Sequence, residues 1–118
     1  MDVGDFDYTP VSSQPRCRSG GDPARISEAV ELMAGAERPY LYAGAGVLFS
    51  EATTELVKLA ELLSLPVATT QNGKSAFPED HALSLGIGGF VRAAYRPLPA
   101  TVLAETADVI MTIGCGFK

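Results

Sequence analysis

The sequence has few of the features that mark a nucleic-acid-binding or membrane protein. Its 118 residues carry 14 acidic side chains against 9 of Lys and Arg, a net charge of −5, and no basic cluster that could neutralise the phosphates of a duplex. No apolar run approaches the roughly 20 residues that a membrane-spanning helix requires. The first residues are acidic, where a signal peptide would be basic. We therefore expect a cytoplasmic protein with no nucleic-acid or membrane partner.

Residues that commonly ligate metals or perform nucleophilic catalysis are also scarce. The two cysteines, Cys17 and Cys115, lack CxxC spacing and lack neighbouring His or Cys partners for a zinc ion. His81 is the only histidine, and no Ser or Cys arrangement accompanies it, so we interpret it as a loop or capping residue. The sequence thus predicts two free thiols, no metal site and no catalytic residue.

The remaining composition is that of one small globular domain. Hydrophobic residues make up 47% of the chain, enough for a modest core. Residues 1–21 are rich in proline, glycine and serine without hydrophobic periodicity, which indicates an extended interdomain linker. The ordered domain is predicted to cover residues 22–118.

A strand–helix–strand unit is the clearest structural pattern. Residues 39–43 form a short apolar and aromatic run without polar alternation, typical of a strand covered on both faces of a parallel sheet. A glycine-rich turn at 44–46 follows, then a helix that Ser50 can cap, and then a second strand at residues 67–70. This order predicts a parallel crossover.

Further elements flank this unit. Asp22 is a candidate N-cap for a first helix that Pro23 opens, whereas residues 71–89 resemble a polar, glycine-rich loop. Pro99 can open a last short helix before a third strand at residues 108–113. Because no helix follows that strand to cover its face, we expect an α/β domain that is incomplete at its C-terminus, and hence a fragment.

Three glycine clusters, at 44–46, 86–89 and 114–116, are candidates for ligand contact. The first lies where α/β proteins bring backbone amides close to phosphates. If the third predicted strand pairs beside the first, opposite the second, the clusters meet at a switch point of the sheet. Phe49 replaces the third glycine of the dinucleotide fingerprint, and residues 69–71 supply no carboxylate, so NAD is disfavoured. For each cluster, an ordinary turn remains the alternative.

Several segments together are similar to one known family. The segments are residues 38–47, 59–61, 66–70, 73–74, 77–81 and 107–110. In this order they resemble the central domain of thiamine-diphosphate-dependent enzymes, and the acetolactate synthase-like branch looks closest. The resemblance covers about residues 22–118, and residues 2–10 resemble the exit from a preceding domain. It implies a Rossmann-like parallel sheet with flanking helices, of the DHS-like NAD/FAD-binding type.

The resemblance also implies a larger parent enzyme with further domains on both sides. Such a parent, a transferase or lyase and a homo-oligomer, would cleave a small-molecule 2-oxo acid. Its outer domains would hold thiamine diphosphate, Mg²⁺ and the activating glutamate. No Gly-Asp-Gly followed by a metal-binding Asn occurs in this sequence, so the chain alone is expected to be inactive.

In acetolactate synthases the similar middle domain also holds FAD. Carried over by position, the contacts would fall on Gly44, Ala45, Gly46, Thr70, Gln71, Asn72, Leu85, Gly86, Ile87, Gly88, Gly114 and Cys115. Two differences from the flavin-binding pattern argue against carrying these contacts over to this sequence. The flavin pattern has a Met-His pair where this sequence has Ile87-Gly88, and an Arg-Phe pair where it has Gly116-Phe117. FAD or a bare adenine nucleotide is the cofactor candidate.

Two rival functions remain at this point. In the first, the middle domain is a scaffold module without any nucleotide. In the second, suggested by Gly44-Ala45-Gly46, the chain is an NAD-consuming deacylase of the sirtuin type, although the Ser and the Gly-Ile-Pro stretch of that family are absent.

Overall fold

The computed structural model describes residues 20–88 and 99–117. In chain order the elements are α1 (Pro23–Gly35), β1 (Pro39–Ala43), α2 (Ala45–Phe49), α3 (Thr53–Leu63), β2 (Val67–Thr69), a 3₁₀ turn (Gln71–Gly73), β3 (Ser84–Ile87), α4 (Pro99–Thr106) and β4 (Val109–Ile113). Within these two ranges, no helix combines the length and the apolar character needed to cross a membrane. Most of the predicted linker, Cys17 and Gly89 lie outside the described residues.

The four strands form one parallel sheet in the order β3-β2-β1-β4. Leu41 of β1 pairs with Val67 of β2 on one side and with Met111 of β4 on the other. The parallel crossover predicted between β1 and β2 is therefore confirmed. The condition for a switch point is also met, because β2 and β4, which correspond to the second and third predicted strands, lie on opposite sides of β1.

Both faces of β1 are covered, as the apolar run of its sequence predicts. Leu41 and Ala43 pack on the face that carries α1 and α3, in the larger core. Tyr40 and Tyr42 point to the opposite face, where Ala100 of α4 completes a smaller core. Alternate side chains of an extended strand point to opposite faces, so β1 contributes side chains to both cores.

The first helix begins as its sequence predicts, but its apolar face is only partly buried. Asp22 accepts a hydrogen bond from the backbone N–H of Ala24 at 2.9 Å and so satisfies one amide of the first turn. Met33 is buried, whereas Ile26 and Val30 are 54% and 43% exposed. The two exposed side chains line an apolar groove of about 330 Å³ between α1, α3 and β4.

The helix predicted to begin at Ser50 is divided in two, and the predicted cap is wrong. A short helix, α2, starts directly after Gly44, and Ser50 ends it by donating its backbone N–H to the carbonyl of Gly46 at 3.0 Å. Glu51 then adopts a φ of 56°, which turns the chain before α3. Because Ser50 closes the last turn of α2, it cannot cap α3, whose N-cap is Ala52.

The region predicted as one polar loop contains a strand. Ser84–Ile87 forms β3 beside β2, with Val67 opposite Ser84 and Thr69 opposite Ile87. Two steps along β2 thus correspond to three along β3, so the pairing is irregular. A strand of four residues that contains a glycine shows no clear alternation, which is why the sequence pattern did not reveal it.

Candidate functional site

A cleft of about 510 Å³ lies at the carboxyl edge of β1 and β4. Three chain segments form it: the β1–α2 turn, the 3₁₀ turn after β2, and the residues that follow β4. Its lining consists of Tyr42, Ala45, Gly46, Phe49, Thr70, Asn72, Gly114, Cys115, Gly116 and Phe117. Open parallel sheets bind ligands at this edge, where the strand order reverses.

The glycine turn after β1 is bonded directly to the end of β4. The amide of Gly44 donates to the carbonyl of Ile113 at 2.8 Å, and the amide of Gly46 donates to the carbonyl of Gly114 at 3.0 Å. A Cβ atom on Gly44 would overlap the carbonyl oxygen of Gly114. These glycines therefore permit a close backbone approach within the protein, and their two amides already have acceptors.

Two further glycines complete this backbone contact. Gly114 has a φ of 64°, and a Cβ at this position would lie 2.7 Å from the amide nitrogen of Val47. A Cβ on Gly73, in the 3₁₀ turn, would lie 2.8 Å from the carbonyl oxygen of Ala43. Side chains at these positions would push the three segments apart. Glycine therefore allows the segments to lie close together along the edge that carries the cleft.

Tyr42 connects the cleft to the opposite edge of the sheet. Its hydroxyl donates to the carbonyl of Gly88, beyond β3, at 3.0 Å, and its ring stacks on Tyr40 with the centroids 6.3 Å apart. Burial, followed by the proximity of Cys115, raises the pKa of Tyr42 above its usual value. Burial also raises the pKa of Tyr40, to about 12. Both phenols are thus neutral near pH 7.

Cys115 is a free thiol at the wall of the cleft, as predicted. Its Sγ donates to the backbone carbonyl of Tyr42 at 3.3 Å. Burial raises the pKa of this thiol, which a backbone hydrogen bond at Ile113 only partly offsets. A protonated, hydrogen-bonded thiol is a poor nucleophile, so Cys115 acts here as part of the wall.

The polar groups of the cleft are uncharged. Thr70 accepts the backbone N–H of Gly73 through its hydroxyl oxygen at 2.9 Å. Asn72 is exposed, and among the described residues its side-chain amide has no hydrogen-bond partner. Lys74 follows closely in the chain, but it pairs with Glu79 at 3.9 Å and does not line the cleft.

The structure brings half of the predicted cofactor residues together. Those that line the cleft are Ala45, Gly46, Thr70, Asn72, Gly114 and Cys115. Gly44 is buried beneath it, and Gln71 is an exposed residue outside the lining. Leu85, Gly86 and Ile87 belong to β3, at the other edge of the sheet, and Gly88 follows them. Gly88 contacts a lining residue, because its carbonyl accepts the hydroxyl of Tyr42.

Three residues of the lining, Tyr42, Phe49 and Phe117, were not among the predicted contacts. Gly116 belongs to the predicted glycine cluster at 114–116, although not to the set of predicted FAD contacts. Tyr42 belongs to the run that predicts a buried strand, and its position near the carboxyl end of β1 is the signal that could have placed it at this edge. Phe49 and Phe117 had been noted only as departures from cofactor patterns, yet both are large exposed rings, at 79% and 81%.

His81 does not line the cleft. Its Nε2 lies 3.2 Å from Oε1 of Glu61, and its Nδ1 accepts the backbone N–H of Leu83 at 3.2 Å. The ring also contacts the edge of Phe77. These contacts fix the loop before β3 against α3, which agrees with the loop role expected for it. In the described part of the chain, no three His, Cys, Asp or Glu side chains lie close enough to hold a metal ion.

Sequence comparisons place this fold among thiamine-dependent enzymes. The family described as thiamine pyrophosphate enzyme, central domain, matches residues 26–118. A probable acetolactate synthase large subunit from Methanococcus aeolicus is 40% identical over 97% of this chain, and one from Methanocaldococcus jannaschii is 43% identical over 83%. Glyoxylate carboligase from Escherichia coli O157:H7 is 36% identical over 96%.

The relatives are much longer than this chain, which covers 19%, 16% and 18% of their respective lengths. A solved structure from Mycobacterium smegmatis, described as a thiamin diphosphate-dependent enzyme, shares the fold with a TM-score of 0.64 at 24% identity. The match covers 87% of this chain and 20% of that one. The chain therefore belongs to the family of thiamine pyrophosphate enzyme central domains, and it is related to acetolactate synthases.

Proposed function

We propose that this chain is the middle, scaffold domain of a longer thiamine-diphosphate-dependent enzyme that acts on a 2-oxo acid. The observation that carries the proposal is the family match over residues 26–118, in a chain that covers 19% and 16% of the lengths of the two archaeal acetolactate synthase relatives. Residues 1–21 would be the linker from a preceding domain, and residues 22–118 the central domain. Flanking domains would hold thiamine diphosphate and Mg²⁺, and the enzyme would be a homo-oligomer.

The geometry supports a scaffold role for the described residues. The glycines at the carboxyl edge serve contacts between backbone segments, as the bond from Gly44 to Ile113 shows. His81 is held between Glu61 and Leu83 and lies outside the cleft. Cys115 is a protonated thiol bonded to a backbone carbonyl. Each of these contacts is made within the domain itself.

The test of this function is turnover of a 2-oxo acid by the longest polypeptide that carries this domain. Pyruvate consumption should require added thiamine diphosphate and Mg²⁺, and it should be lost when either is removed by dialysis against a chelator. Undiminished consumption in protein freed of thiamine diphosphate would contradict the proposal. Pyruvate is chosen because acetolactate formation is the activity named for the archaeal relatives.

A second candidate function is the binding of FAD or an adenine nucleotide in the cleft. The observation that favours it is the convergence of six predicted cofactor residues, from three separate segments, on one cleft at the switch point. The cleft volume, about 510 Å³, lies within the range typical of small-molecule sites. The purified longer polypeptide should release a flavin or adenine nucleotide on denaturation. A fully active enzyme that contains neither a flavin nor an adenine nucleotide would contradict this second candidate, and only the scaffold role would remain.

A further inference from the structure

We propose that Asn72 is a latent deamidation site, which the 3₁₀ turn and the side chain of Thr70 hold in check while the chain is folded. Asn72 is the only asparagine of the chain, and Gly73 follows it directly. It is exposed at the cleft, and its side-chain amide has no hydrogen-bond partner among the described residues. The modification requires only water, so it is independent of any ligand in the cleft.

The reaction at this pair begins with the backbone of Gly73. Its amide nitrogen gives up a proton to hydroxide and attacks Cγ of Asn72, and the bond from Cγ to Nδ2 breaks as Nδ2 takes a proton from water and leaves as ammonia. Water then opens the succinimide ring at either of its two carbonyls. The product is Asp or isoaspartate, whose backbone contains one more carbon atom. Glycine favours the attack because it places no side chain beside the nitrogen.

The packing of the turn requires glycine at position 73. Gly73 is buried, and a Cβ atom there would lie 2.8 Å from the carbonyl oxygen of Ala43 and 2.9 Å from the Cα of Gly44. Both obstacles are backbone atoms, which cannot move aside as the end of a side chain can. A bulkier residue, which would shield the attacking nitrogen, is therefore excluded at this position, and another feature of the turn has to slow the reaction.

That feature is the pair of hydrogen bonds between Gly73 and Thr70. The backbone N–H of Gly73 donates to the hydroxyl oxygen of Thr70 at 2.9 Å and to its carbonyl oxygen at 3.0 Å. Removal of this proton, the first step of the reaction, therefore breaks two contacts of the folded turn. Ring closure also requires a rotation about ψ of Asn72 that brings the nitrogen to Cγ, out of the roughly −20 to −30° of a 3₁₀ turn.

Deamidation would change both the charge and the shape of the cleft. Among the described residues, its lining includes no Asp, Glu, Lys or Arg side chain. Conversion of Asn72 to Asp would introduce a carboxylate, and an ordinary Asp pKa of about 3.9 leaves that group charged near neutral pH. Isoaspartate would also lengthen the backbone of the turn, beside the close contact of Gly73 with the end of β1. The folded turn protects the edge of the sheet from both changes.

Rates of deamidation in native and unfolded protein test the inference. The full chain is incubated at mildly alkaline pH with and without urea, and tandem mass spectrometry follows the tryptic peptide that ends at Lys74. Enzymatic methylation of isoaspartate measures the second product, and Asn72→Ala shows how much of the signal comes from Gln71. We expect the native chain to react about tenfold more slowly, the effect of two hydrogen bonds worth about 0.7 kcal/mol each. Equal rates, or no reaction in urea, would overturn the inference.

Matched variants test the role of the threonine, whereas the comparison with urea depends on no variant. Thr70→Val keeps the size of the side chain but removes its acceptor oxygen, so native deamidation should be about fivefold faster, the effect of about 1 kcal/mol. Thr70→Ser keeps the oxygen and should react as slowly as the unaltered chain. Thr54→Val, at an exposed threonine of α3, should change nothing. Far-UV circular dichroism checks that each variant is folded. A folded Thr70→Val protein that reacts no faster than the unaltered chain would overturn the inference.

Discussion

Among the described glycines, Gly44 has the least room for a side chain. A Cβ atom there would overlap the carbonyl oxygen of Gly114 and would lie 2.8 Å from the Cα of Cys115, and both obstacles are backbone. Gly44→Ala should therefore lower the free energy of unfolding by about 3 kcal/mol or more, because a backbone obstacle cannot move aside as a side chain can. Urea denaturation followed by circular dichroism measures the loss.

The matched control for this substitution is Gly35→Ala. Gly35 ends α1, and no atom lies within 4 Å of the position that its Cβ would occupy. Alanine there should be neutral or should stabilise the chain by about 0.5 kcal/mol, since a helical glycine has a high entropic cost. Equal losses in both variants would mean that the contact between Gly44 and the end of β4 does not hold the edge together.

Asp108 predicts a dependence of stability on pH. Its carboxylate accepts the backbone amides of Glu37 at 2.7 Å and Arg38 at 2.9 Å. Desolvation acts to raise the pKa of Asp108, but these and other backbone hydrogen bonds together lower it below its ordinary value. A depressed pKa stabilises the fold above the unfolded-state value, about 3.9, and this stabilisation is lost as the pH falls through the folded-state value.

Asp108→Asn should remove this dependence. The asparagine can keep only one of the two acceptors, so the variant should be less stable at neutral pH. Its urea midpoint should also fall less steeply than that of the unaltered chain as the pH is lowered through about 4. Parallel midpoint curves for the two proteins would show that the carboxylate does not contribute in the expected way.

At the scale of the elements, α3 presents one buried and one exposed apolar side to its surroundings. Leu56 is 4% exposed in the larger core, whereas Leu62 is 79% exposed. Leu56→Ala should lower the free energy of unfolding by about 2–5 kcal/mol, because it removes buried methyl groups and leaves a cavity. Leu62→Ala should change it by no more than about 0.5 kcal/mol. Similar losses for both would contradict the placement of α3.

The elements with strong local signals could be predicted from the sequence. Asp22 and Pro23 start α1 because one supplies the cap and the other needs no amide acceptor. The apolar run of β1 reflects its cover on both faces. The division between α2 and α3 could not be predicted, because it depends on the positive φ of Glu51, a residue with no strong preference for that conformation. The strand β3 is formed by its pairing with β2, and a segment of four residues is too short for its sequence pattern to reveal such pairing.

In the molecule as a whole, the location of the cleft could be predicted from the sequence more fully than the side chains that line it. The parallel order and the glycine clusters predict an edge at the switch between β2 and β4, and the structure has that order. The side chains of Phe49 and Phe117 both line the cleft because the backbone contacts at Gly114 bring two distant segments together. No local pattern encodes such a tertiary contact, and the glycines alone do not distinguish packing from ligand binding.

If this chain is a scaffold domain, as we propose, thiamine diphosphate is held by other domains of the enzyme. Calorimetric titration with thiamine diphosphate and Mg²⁺ tests this division of roles, on the 118-residue chain and on the longer polypeptide that contains it. We expect saturable binding to the longer polypeptide and none to this chain. Saturable binding to this chain by itself would show that the domain is not only a scaffold.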